Sequence, residues 1–103
     1  MQDKRFSPRA AVIAVAEITE VATGTKLSAR TSDLSRAGCY VDTLNPMPAR
    51  TVISIRIQYN GEELVLPGRI VYVSHGLGMG IRFDDDLLPQ QLYILDRWIT
   101  APK

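Results

Sequence analysis

From Arg50 to Leu66 the chain reads RTVISIRIQYNGEELVL, with Ile53, Ile55, Ile57 and Tyr59 alternating against Ser54, Arg56 and Gln58. Successive side chains of a strand point to opposite faces, so this period of two describes a half-buried antiparallel strand. Asn60-Gly61 follows at once. A type I′ turn needs positive φ at both central residues, which makes this pair a strong hairpin signal. Residues 62–74 then form the partner strand. Pro67-Gly68 interrupts it, and because proline removes a ladder donor a bend or bulge is expected there.

The rest of the chain extends this pattern. Residues 10–21 are rich in valine and isoleucine, a turn follows at TGT, and residues 26–34 can return as a strand. A second turn at residues 35–38 leads to the short apolar segment Cys39-Tyr40-Val41. The two prolines of LNPMP exclude a central strand at residues 44–48, and the turn HGLG opens a last strand, MGIRF. Then the period changes. Leu88, Leu92, Leu95 and Ile99 are spaced four, three and four, the spacing of one helix face. Asp84, Asp85 and Asp86 are expected at or near the positive end of that helix, with Pro89 in its first turn and Arg97 in its last turns. Trp98, Tyr93 and Ile94 fall off the stripe, as extra core or as a surface for a partner. The predicted fold is all-β with one C-terminal helix: six short antiparallel strands that close into a barrel, since closure removes exposed edges. Its parts are a leader at 1–9, a barrel at 10–86 and a helix at 87–100, within one domain.

Composition narrows the function. At 103 residues there is material for a single core. The net charge of +1 gives no global field toward nucleic acid or membrane, so an anion site must be built locally. The single Cys39 excludes an intramolecular disulfide and a cysteine-based zinc cluster. No apolar run approaches the ~20 residues of a membrane span, and MQDKRFSPR is not followed by a signal-peptide core. The sequence therefore reads as soluble and cytoplasmic, without membrane insertion.

Two short motifs carry the candidate chemistry. Arg5-Phe6-Ser7-Pro8-Arg9 is an R-x-x-x-R, and Asp33-Leu34-Ser35-Arg36-Ala37-Gly38 is a D-x-S-x-x-G. Asp33 lies 24 residues past Arg9, the length of a strand, a turn and a returning strand. One hairpin thus brings Asp33 back to where Arg9 left. An arginine fork pairs with phosphate or with guanine O6 and N7. An ionised Asp33 only accepts hydrogen bonds, which suits the N1–H and N2 amino edge of guanine and repels phosphate. Ser35 can donate or accept, and Gly38 allows positive φ and close backbone approach. The set matches a ligand holding both guanine and phosphate. Charge-assisted hydrogen bonds contribute roughly 1.5–3 kcal/mol each. Three or four, less ordering costs, reach the ~8 kcal/mol of micromolar affinity.

At these residues the chain resembles the PilZ domain family, bacterial receptors for the second messenger cyclic di-GMP. The likeness covers nearly the whole chain, through RFSPR, DLSRAG, GRIVYV and GMGIRF. It implies a six-stranded barrel whose N-terminal arginine loop folds over the ligand, with Arg5 and Arg9 on guanine and phosphate. Asp33 and Ser35 would bind the other side, and Gly38 would shape the turn. Lys4 occupies a position that in this family influences whether one ligand or a stacked pair binds. The resemblance implies a non-enzymatic receptor or adaptor that reports cyclic di-GMP to a downstream effector protein, with no cofactor and no metal. The leader holds few apolar residues and is expected to be mobile until ligand orders it.

Each feature also has a plain reading. Arg5 and Arg9 alone are a solvated leader, and Asp33 and Ser35 alone are turn-formers. Arg36 and Lys26 read first as solvated, with Arg36 a further candidate for ligand contact. Three consecutive aspartates do not converge on one ion. HGLGMG lacks the lysine of a phosphate loop and precedes a strand. His75 is read as an exposed turn residue and Cys39 as a small buried hydrophobe. Two other functions compete: a PilZ-like protein-interaction module indifferent to nucleotide, and a barrel binding single-stranded nucleic acid. The second expects stacking aromatics in a basic groove, which the near-neutral charge supports poorly. No nucleophile, base and orienting group stand together as an enzyme requires.

Overall fold

The hairpin centred on Asn60 and Gly61 organises the computed structural model, which describes residues 9–100. Strands β4 (Val52–Tyr59) and β5 (Glu62–Ser74) flank it, and both turn residues take positive φ, 56° and 79°. Around it are β1 (Val15–Glu20), β2 (Lys26–Leu34), β3 (Gly38–Asp42) and β6 (Gly78–Phe83), and the chain continues into α1 (Pro89–Thr100). The strands close in the order β1-β2-β3-β6-β5-β4, every pair antiparallel. The alternation read from β4 holds, with Ile53, Ile55 and Ile57 buried inside the barrel. Ile18, Leu34, Val41, Leu66, Ile70 and Met79 are fully buried with them.

Two features of β5 differ from expectation. No bulge forms at Pro67-Gly68: Pro67 pairs with Ser54 and Gly68 with Ile53 in unbroken register. The reason is which side Pro67 faces. The N and C=O of one residue in an antiparallel strand point the same way, and the Pro67 carbonyl accepts from the Asp84 N–H at 2.9 Å. The missing donor therefore faces the end of β6, and the β4 ladder loses nothing. The irregularity lies further on, where Ile70 pairs with Ile81 but Tyr72 with Gly80, leaving Val71 as the extra residue. A second bulge falls in β2, at Ser32.

The apolar run at residues 10–21 joins the ladder only from Val15. Ahead of it, Val12 and Ala14 stay buried and are held by one side chain. The Thr31 hydroxyl donates to the Val12 carbonyl at 2.6 Å and accepts from the Ala14 N–H at 3.0 Å. Further back, Ala10 and Leu34 exchange both backbone hydrogen bonds at 2.9 Å.

The helix corrects two more expectations. It begins at Pro89 with no acidic residue in its first turn, so the aspartate run lies in the connection from β6. Its start is capped instead by Gln91, whose side-chain oxygen accepts from the Leu88 N–H at 2.8 Å, one half of a capping box with proline at the first helical position. Leu88 precedes the helix and is exposed, while Leu95 and Trp98 carry the buried face. The choice left open for Trp98 resolves as core: it is 2% exposed, meets Tyr59 edge-on and donates its indole N–H to Glu62 at 3.1 Å. Tyr93 is exposed, and Ile94 packs partly against the core. No helix among the described residues is long and apolar enough to cross a membrane.

Candidate functional site

The residues of the two motifs that the structure describes meet at one edge of the barrel. The Ala10–Leu34 pair fixes the end of the leader beside β2. Arg9 thereby lies against Asp33, with its Nη1 3.4 Å from Oδ2. Both side chains are partly open, 46% and 27% exposed. The other Asp33 oxygen, Oδ1, accepts from the Tyr40 N–H at 3.2 Å. Arg5 and Lys4 lie outside the described residues.

Asp33 reaches this surface because of the bulge. Thr31 and Leu34 are both fully buried, and strict alternation cannot point residues three apart to the same side. The extra residue, Ser32, absorbs the conflict and leaves Asp33 facing outward opposite Tyr40. Sequence reading missed Tyr40 as the residue that steadies the carboxylate, since only the bulged register sets it opposite Asp33.

The turn after β2 consumes its own serine. Ser35 is 7% exposed, and its N–H donates to the Gly38 carbonyl at 2.8 Å. Its hydroxyl accepts from the N–H groups of Ala37 and Gly38, both at 3.2 Å, and lies 3.2 Å from the Gly38 carbonyl oxygen. Gly38 is needed for one of the two reasons expected, close backbone approach, and not for the other. Its φ is not positive, but a Cβ there would run into the Ile81 carbonyl oxygen of β6. Close approach alone demands glycine.

Arg36 turns away from this edge. Its Nε lies 3.0 Å from Oδ1 of Asp96, both side chains about half exposed, and so joins the turn to α1. Lys26 pairs with Glu17 at 3.7 Å at the far end of β2. His75 is exposed in its turn. Cys39 is buried beneath the site, and burial, then the nearby Asp33 carboxylate, push its thiol well up. Among the described residues, no group of three or more His, Cys, Asp or Glu is arranged to hold a metal ion.

A closed antiparallel barrel followed by a docked helix, with an arginine and a carboxylate facing each other at its rim, defines a small β-barrel domain with a polar surface site. The PilZ domain profile matches residues 3–101. The chain belongs to the PilZ domain family. Among solved structures it is similar to the PilZ domain of CeSA from a cellulose-synthesizing bacterium, at 30% identity over 90% of this chain and 95% of that one, with a TM-score of 0.71. It also resembles the PilZ domain of YcgR from Escherichia coli with c-di-GMP, at 16% identity, 94% and 89% coverage and a TM-score of 0.78. A third, the PlzA protein of Borreliella burgdorferi in complex with c-di-GMP, has 18% identity and a TM-score of 0.66. There the match covers 95% of this chain but 42% of PlzA, so the larger protein holds more than this domain. Comparison with curated proteins gives no match.

Proposed function

We propose that this domain is a receptor for cyclic di-GMP that binds the nucleotide between the arginine leader and the Asp33 edge and acts without catalysis. The observation that carries this reading is the Arg9–Asp33 contact, which brings residues 24 apart in sequence to one open surface. Membership of the PilZ family supports it, as do the c-di-GMP complexes of YcgR and PlzA.

The energetics favour exchange. A partly exposed pair at 3.4 Å is worth at most about 1 kcal/mol. Charge-assisted hydrogen bonds to guanine contribute roughly 1.5–3 kcal/mol each. Asp33, steadied through Oδ1 by Tyr40, offers Oδ2 to the N1–H and N2 edge of guanine in place of Arg9. The freed Arg9 fork turns to guanine O6 and N7 or to a phosphate, and Arg5 supplies a second fork. Ser35 holds the turn that presents Asp33, and it reaches ligand only by giving up the Gly38 carbonyl. Arg36 joins only by leaving Asp96, and Lys4 bears on stoichiometry.

The output is a change of order: ligand bridges residues 1–9 to the barrel and reshapes one surface for an effector protein. Calorimetric titration with cyclic di-GMP tests the binding. Heat from the wild type, and at least tenfold weaker binding by Arg9→Ala and by Asp33→Ala, are expected. A wild type that gives no heat leaves the protein-interaction reading instead. Equal binding of GTP or single-stranded RNA would also count against the proposal. Amide exchange of residues 2–9 tests the switch, and unchanged protection at saturation would remove it.

A further inference from the structure

The loop ahead of β4 holds an arginine where the backbone asks for glycine. Pro48, Ala49, Arg50 and Thr51 form a tight turn, in which the Thr51 N–H and hydroxyl both donate to the Pro48 carbonyl, at 3.3 and 2.6 Å. Its third residue, Arg50, has a φ of 76°, the left-handed region that glycine fills in such turns. The Arg50 N–H then donates to the Ile70 carbonyl at 2.7 Å, and the Ile70 N–H to the Thr51 carbonyl at 2.9 Å. Two residues thus face one, the bulge whose first position is ordinarily glycine. A side chain in this conformation crowds the following carbonyl, and strain of this kind points to a use for the residue that bears it. Among the described residues, the Arg50 side chain is exposed and makes no hydrogen bond or ion pair. Its use lies outside them.

The turn sets Arg50 beside an arginine row. Val52 lies directly opposite Arg69, and Arg69 directly opposite Arg82, across β4, β5 and β6. Among the described residues Arg69 forms no ion pair. Arg82 has only Asp85, at 3.5 Å, with that carboxylate 90% exposed. Like charges set opposite each other across a sheet repel, so the fold keeps this row against its own stability. Val52 and Val71, 52% and 45% exposed, add apolar surface beside the arginines, and arginine with apolar surface is the composition enriched in interfaces. At one end of the row β6 runs into Asp84, Asp85 and Asp86, all exposed, where the Asp84 N–H ties the chain to the Pro67 carbonyl. The face therefore carries a cationic stretch and an anionic end.

We propose that this face pairs with the same face of a second copy of the chain, with Arg50 and Arg69 of each copy lying on the aspartate run of the other. A two-fold interface sets one residue on another and the second on the first, so a patch that carries both signs side by side is complementary to itself. An acidic segment of a different protein would be repelled by the same aspartates that a second copy turns into contacts. The inference stands independently of nucleotide binding.

Sedimentation velocity of the full chain without nucleotide, over a concentration series reaching about 1 mM, measures the pairing. A dimer that grows with concentration and is dispersed by high salt is expected, since exposed charges are screened. A variant with Arg50→Glu and Arg69→Glu, and another with Asp85→Lys and Asp86→Lys, should each associate about tenfold or more weakly. Mixed in equal amounts the two should pair again, because introduced glutamates then meet introduced lysines at one contact while native aspartates meet native arginines at the other. Arg50→Gly, which relieves the turn, should unfold at a temperature no lower than wild type yet dimerise more weakly. A wild type that stays monomeric throughout, reversed variants that dimerise normally on their own, or a mixture that fails to pair overturns the proposal. So does an Arg50→Gly variant that unfolds at lower temperature and dimerises normally, for the arginine then serves the fold.

Discussion

Gly38→Ala tests the reason assigned to the glycine that ends the Asp33 turn. An added Cβ meets the Ile81 carbonyl oxygen head-on, and the Arg82 Cα and Ile81 carbonyl carbon each at 3.1 Å. All three are backbone atoms of β6, so no rotamer change relieves them. Relief requires β3 to move off β6, where Gly38 pairs with Arg82 and the Phe83 N–H donates to the Ala37 carbonyl at 2.8 Å. Overpacking of this kind costs about 1–3 kcal/mol, and one weakened backbone hydrogen bond adds about 1 kcal/mol. At about 4–8 °C per kcal/mol for a domain of this size, a cost near 3 kcal/mol lowers Tm by about 15 °C. Thermal unfolding followed by circular dichroism measures this. Gly38→Asn sharpens it, because asparagine tolerates positive φ far better than alanine does. Close approach predicts that asparagine is at least as damaging as alanine. Asparagine rescuing stability, or alanine shifting Tm by only a degree or two, would refute the reasoning.

Three further outcomes are expected. Arg97, and secondly Trp98, hold the Glu62 carboxyl below its ordinary value of 4.5 by hydrogen bonding. A depressed carboxylate stabilises the fold above its unfolded pKa and loses that contribution as pH falls through the folded one, so α1 should loosen on acidification below about 4.5. The sole tryptophan, Trp98, reports it by fluorescence, and Glu62→Gln should flatten the profile. Thr31→Val strips the Val12 carbonyl and Ala14 N–H of a shared buried partner, a loss of about 2 kcal/mol or more in urea unfolding. Asp96→Asn breaks a half-exposed pair with Arg36 and should change stability by less than about 1 kcal/mol; if Arg36 turns to the ligand, the variant binds cyclic di-GMP more tightly in the same titration.

The parts of the fold visible in sequence are those where one physical signal dominates. Isoleucine at every second position and Asn60-Gly61 define β4, its turn and the start of β5, and the arrangement agrees with them. The meeting of Arg9 and Asp33 followed from hairpin length. Hidden features depend on partners remote in the chain. Nothing local in ARTSDL marks Ser32 as an extra residue; the bulge arises because Thr31 is claimed by Val12 and Ala14 while Leu34 is claimed by the core. Pro67 escapes its expected bulge through Asp84, 17 residues on and just past the neighbouring strand β6. Trp98 lies off the leucine stripe, yet Glu62 and Tyr59 draw it inside. Gly38 looked like a turn glycine because its backbone neighbour, Ile81, is 43 positions away.

Closure of the sheet also limits how any protein can listen to this domain. Every strand among the described residues already has two neighbours, which leaves no open edge there for annexing an extra strand. Any partner would instead read side-chain relief: the outer sheet face, the helix or the loops between strands.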